Sequence, residues 1–72
     1  MGNVKLRLER LPMGAGGVVT KMKKSPRLEQ IGLRSGVAVV CAYKSRGVTA
    51  LAFENRLVAF RRKALRGIWV DH

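Results

Sequence analysis

Val4-Lys5-Leu6-Arg7-Leu8-Glu9 alternates apolar with charged residues, the two-residue period of a strand with one face buried. The pattern stops at Leu11-Pro12, because proline has no N–H for a ladder hydrogen bond and biases the residue before it away from helix. Met13-Gly14-Ala15-Gly16-Gly17 follows, and its repeated glycines, which reach positive φ at little steric cost, mark a turn or bulge. Residues 18–22 read as a second strand and residues 37–43 as a third. On the third, Val37, Val39, Cys41 and Tyr43 share one face, and Ala38, Val40 and Ala42 share the other. Both faces are apolar, so this strand is expected to be central. Residues 48–53 and 57–60 form a hairpin around Glu54-Asn55-Arg56, where Asn55 tolerates the left-handed conformation of a tight turn. Ile68-Trp69-Val70 supplies a short last strand. Short strands with frequent turn signals predict an all-β domain, a small β-barrel that leaves few open edges.

One stretch breaks the strand pattern. In Ser25-Pro26-Arg27-Leu28-Glu29-Gln30-Ile31-Gly32-Leu33, Ser25 suits an N-cap and Pro26 the first helical position, where its missing N–H costs nothing. Leu28 stands where a capping box would need Glu or Gln. Gly32 suits the left-handed position just past a helix, which makes Leu28 and Leu33 the apolar pair that accompanies a Schellman motif. The spacing predicts one short α-helix at about 26–31. A helix of that length is well below the ~12–15 residues that are marginal in water, so it must be held by docking Leu28, Ile31 and Leu33 on the barrel. Gly36 then allows a sharp turn into the third strand.

Seventy-two residues are read as a single domain spanning 1–72. The 47% apolar content is that of a globular chain, and no run approaches the ~20 apolar residues of a membrane-spanning helix. Cys41 has no partner for an internal disulfide, which with the lack of a signal-peptide pattern predicts a reducing, cytoplasmic setting. The start does not fit the myristoylation pattern, since Leu6 stands where Ser or Thr is required. Charge is the dominant compositional fact: fifteen Lys and Arg against four acids give a formal +11. Such a field steers the protein toward nucleic acid, an anionic membrane or an acidic protein surface without choosing among them.

Tests for chemistry return little. The glycine cluster lacks the third glycine of a dinucleotide fingerprint, having Val19 there, and neither Lys21 nor Lys23 stands in a phosphate-loop pattern. Cys41, His72 and the acids Glu9, Glu29, Glu54 and Asp71 are scattered singly, without metal-ligand spacing. Cys41 reads as a small core residue, and His72, at the chain end, as frayed. No nucleophile–base–acid set is visible, so the chain is not expected to be an enzyme, and no cofactor or metal is implied. Lys21, Lys23, Lys24 and Arg27 form one basic group, and Arg61, Arg62, Lys63 and Arg66 another. A small basic barrel binding RNA or DNA is therefore the alternative reading, although Tyr43, Phe53, Phe60 and Trp69 sit in apolar contexts that suggest core rather than a stacking platform.

The order Leu11-Pro12, Gly14, Gly17-Val18-Val19, Arg27-Leu28, Ile31-Gly32-Leu33 and Gly36 resembles the ferrous iron transport protein A (FeoA) family. Leu57-Val58-Ala59-Phe60-Arg61, Ala64 and Ile68-Trp69-Val70 extend the likeness through the second half. Ser35 replaces a common proline, Asn55 a common turn glycine, and Arg46-Gly47-Val48 lacks a usual Gly-Asp-Pro-like element. The resemblance implies a cytosolic, SH3-like barrel with a helical turn at about 61–66, free-standing rather than the C-terminal module of a DtxR-type metal-dependent repressor. It implies an accessory role in ferrous iron uptake, through protein–protein interaction with the cytosolic part of the membrane transporter FeoB. The helix and the loop after it are the expected contact, with Arg27, Leu28, Ile31, Leu33 and Arg34 as candidates. The basic surface is further expected to favour peripheral contact with an anionic membrane, at ~1 kcal/mol per Lys or Arg held near it.

Overall fold

The computed structural model describes residues 4–72. Its strands are β1 (Lys5–Arg7), β2 (Gly16–Met22), β3 (Ala38–Ser45), β4 (Val48–Phe53), β5 (Arg56–Arg61) and β6 (Ile68–Asp71). One α-helix, α1 (Pro26–Gln30), and two 3-10 turns, Leu8–Arg10 and Arg62–Leu65, complete the elements of the described residues. The second 3-10 turn lies within the helical turn expected at 61–66. All six strands join one antiparallel sheet in the order β1-β6-β2-β3-β4-β5. The two 3-10 turns leave the edge strands β1 and β5 and pack against each other, so the two sides of the sheet curl around one core. Leu8, Leu11, Val19, Leu33, Leu51, Leu65, Ile68 and Val70 are shut off from water there. Cys41 is among them, as its apolar context predicts.

Several elements differ from the sequence pattern for local reasons. The alternation from Val4 to Glu9 does not remain a strand throughout. The chain tightens into the 3-10 turn at Leu8, and this buries both Leu8 and Leu11, which a straight strand would splay apart. Gly16 and Gly17 belong to β2, not to the turn before it. Gly17 serves a close approach of two strands: a Cβ built there would sit 2.5 Å from the backbone oxygen of Asp71 on β6. The register of β2 on β6 slips between Val19 and Lys21, and Thr20 Oγ1 donates to the carbonyl of Trp69 at 3.4 Å.

β3 lies inside the sheet between β2 and β4, as expected, but a second register slip between Cys41 and Tyr43 breaks its alternation. Tyr43 therefore leaves the face of Val39 and Cys41 and stands 55% exposed. The β4–β5 turn is two residues, not three: Phe53 pairs with Arg56, while Glu54 and Asn55 take φ of 49° and 63°. Both signs are those of a type I′ hairpin, which suits the right-handed twist of the flanking strands. His72 is not frayed. Its N–H donates to the carbonyl of Val4 at 2.8 Å, and its Nδ1 lies 2.9 Å from the carbonyl of Gly16.

The close approach at Gly17 sets a measurable difference between two glycines. Gly36, at φ +94°, has open space where a Cβ would go, so Gly36→Ala is expected to cost about 1 kcal/mol of backbone strain. Gly17→Ala must push backbone away from backbone and is expected to cost about 2 kcal/mol or more. Urea unfolding of both variants checks this, and equal costs would remove the strand-approach explanation.

Candidate interaction surface at the helix edge

The short helix is built as its capping residues require. Ser25 is extended, and its Oγ accepts from the Leu28 N–H at 3.4 Å, with Pro26 opening the helix. At the other end Ile31 is the C-cap, so the helix closes one residue earlier than the expected 26–31. Gly32, at φ +93°, donates to the carbonyl of Glu29, and Leu33 donates to the carbonyl of Leu28, both at 3.0 Å. These are the two hydrogen bonds of a Schellman motif, and they satisfy carbonyls that a helix end otherwise leaves open.

The hairpin turn between β4 and β5 sits on this helix end. The Arg56 guanidinium donates to the carbonyl of Ile31 and lies over the Phe53 ring, 5.5 Å from its centroid. A Cβ at Gly32 would come within 2.7 Å of Glu54 Oε1 and 2.8 Å of Arg56 Nη2. Gly32 thus meets two demands, a left-handed backbone and room for the hairpin's side chains. Glu54 and Arg56 are the residues that the sequence reading missed here. The signal for them was weak, namely that a helix C-terminus attracts cations, and nothing local to residues 54–56 pairs them with residues 31 and 32.

The five candidate contact residues divide by exposure. Leu28 and Leu33 are buried in the core, and Ile31 is half-buried against it. Arg27 and Arg34 are exposed. The leucines therefore hold the edge in place, while Arg27, Arg34 and the outer part of Ile31 are what the edge presents. Beside it runs a groove of about 500 Å³, lined by Met22, Lys23, Lys24, Glu29, Arg34 and Ser35. The basic group at 21–27 is split by the fold. Lys23 and Lys24 join Arg34 in this groove, and Lys21 lines a separate hollow with Lys5, Thr20 and Trp69.

The aromatic residues do not assemble on the surface. Phe53 and Phe60 stack on each other inside the barrel, with ring centroids 6.4 Å apart. Trp69 is half-buried with the Arg7 guanidinium 5.6 Å from its ring centroid, and Tyr43 lies two strands away on β3. Among the described residues no three of the His, Cys, Asp and Glu side chains are grouped to hold a metal ion. No helix among them is long and apolar enough to cross a membrane.

No protein-family model matches the sequence, and no curated protein matches it. Solved structures do match the fold, and two of them are informative. A crystal structure of an iron uptake regulatory protein, FeoA, superposes with a TM-score of 0.85 at 15% identity, over 94% of this chain and 97% of that one. A manganese-dependent transcriptional repressor superposes with a TM-score of 0.84 at 18% identity, over 99% of this chain and 43% of the repressor. The architecture is therefore the small SH3-like barrel. In its particular form, with one short helix and 3-10 turns, it is the fold of FeoA.

If Arg56 fastens the hairpin to the helix end, Arg56→Ala is expected to lower stability by about 1 kcal/mol through the lost capping hydrogen bond and ring contact. Arg27→Ala, on the open side of the same helix, should stay within about 0.5 kcal/mol of the parent. Chemical denaturation separates the two, and matching midpoints would show that Arg56 does not fasten the helix.

Proposed function

We propose that this chain is an accessory protein of ferrous iron uptake that acts by binding the cytosolic part of a FeoB-type transporter, and that it is an interaction module rather than an enzyme. The observation that carries this reading is the fold match to FeoA, which runs over nearly all of both chains, whereas the repressor shares less than half of its length. The same residues that suggested the family in sequence, from Arg27 to Gly36, form the capped helix and its exit turn. Iron on this reading is the cargo of the partner.

The helix edge suits a protein contact. Arg27 and Arg34 project from an element that both caps, the buried Leu28 and Leu33, and the Arg56 contact hold in one place. A surface fixed before binding loses little conformational entropy on binding. The competing reading, binding of RNA or DNA, has charge but lacks neighbouring exposed aromatics on which bases would stack.

Isothermal titration against the purified cytosolic domain of FeoB tests the proposal. Saturable binding is expected, weakened about tenfold or more by Arg34→Glu, which reverses a charge at the contact. Binding that Arg34→Glu leaves unchanged would move the contact off the helix edge. Absence of binding, with tight and strongly salt-dependent capture of a single-stranded oligonucleotide instead, would favour the competing reading.

A further inference from the structure

The second basic group of the sequence is gathered by the fold into a groove of its own. Arg61, Arg62, Lys63 and Arg66 line it together with Glu9, Gly47 and Val48, around a volume of about 530 Å³. It shares no lining residue with the groove beside α1. Its walls come from the β3–β4 turn and the second 3-10 turn, and its acidic member from the first 3-10 turn. These parts are tied together. The Arg62 N–H donates to the carbonyl of Gly47 at 2.9 Å, and Lys44 Nζ donates to the carbonyl of Glu9 at 3.1 Å. The two 3-10 turns touch, and Leu8 and Leu65 anchor them in the core. The cations thus hang on a fixed frame.

Glu9 shows how these charges are disposed. Among the described residues its Oε1 is closed off from water and has no hydrogen-bond partner, so none of the four cations in the same groove donates to it. These four exposed cations beside one hollow raise the positive potential there, which a ligand of opposite sign lowers. Three of the four are arginines, whose planar fork matches the oxygens of a phosphate. The volume is that of a small-molecule site rather than of a single ion.

We infer that this groove is a binding site for a ligand carrying two or more phosphate groups, held by Arg61, Arg62, Lys63 and Arg66. Free oligophosphates and clustered phosphate-bearing lipid headgroups share that chemistry. Glu9 opposes the anion, so it limits the affinity and keeps the empty groove from carrying all its positive charge uncompensated.

Calorimetric titration with sodium tripolyphosphate tests this on the full chain. The parent is expected to bind one equivalent, with affinity falling as salt is added. A groove variant, Arg62→Gln with Arg66→Gln, should lose about tenfold or more, one charge-assisted contact being worth roughly that factor. A control variant of equal net charge, Lys5→Gln with Lys21→Gln, which lies in a separate hollow, should change less than about twofold. Glu9→Gln should bind several-fold more tightly, a gain that no loss of folding produces. Flotation with phosphatidylglycerol vesicles identifies the source: lipid binding lost only in the groove variant assigns headgroups, and lipid binding untouched by it assigns a free oligophosphate. Equal losses in the groove and control variants, or no saturable binding by the parent, would overturn the site.

Discussion

The structure depends on the docking of a helix that has no stability of its own. α1 is five residues long, far too short to persist in water, and it exists because Leu28 and Leu33 lie in the barrel core at either side of its C-terminal turn. Burial of that pair and the two hydrogen bonds at the helix end are one event. Leu33 reaches the core only when its N–H has turned back to the carbonyl of Leu28, and that turn needs Gly32 in the left-handed region. The chain then leaves through Gly36, whose N–H donates to the carbonyl of Val19, and Val37 accepts from the Val19 N–H, so the helix exit is also stitched to β2. The helix, the entry to β3 and the hairpin that covers the helix end through Arg56 are therefore linked, and a change at any of them should be felt at the others.

What was legible in the sequence follows from how local each cause is. The caps of α1, the apolar pair and the glycine exit are encoded within a dozen residues, and they emerged as read except for the last position of the helix. Burial of Cys41 follows from its apolar strand context, and the interior position of β3 from the apolar residues on both of its faces. The misread features are those set by a distant segment. Gly17 looked like a turn residue because its neighbours are glycines, but its role is decided by Asp71 on a strand at the other end of the chain. Alternation puts Tyr43 on the face of Val39 and Cys41, and a register slip against β4 turns it outward. His72 looks free because it ends the chain, yet the pairing of β6 with β1 and with β2 brings it to Val4 and Gly16.

The same division applies to the candidate site. Of the residues chosen from sequence, Leu28 and Leu33 proved to be scaffold, while Arg27 and Arg34 face solvent. Burial explains why a family-like motif mixes both kinds: the apolar members fix the geometry in which the charged ones are displayed. The charge, which in the sequence was a single large number, becomes local in the fold. Lys23, Lys24 and Arg34 share one groove, and Arg61, Arg62, Lys63 and Arg66 another on the framework of the two 3-10 turns. Each of these two groups thus lines a concave part of the surface.

Native-state hydrogen exchange at the Leu33 amide tests the central claim most directly, because that N–H is the Schellman donor beneath the docked helix. If the helix is an integral part of the barrel, this amide exchanges only through global unfolding, with the same protection free energy as the slowest amides of β3 and β4. Exchange of Leu33 through a local opening, several kcal/mol easier than global unfolding, would contradict the account, because the helix would then be an ornament that the barrel can shed.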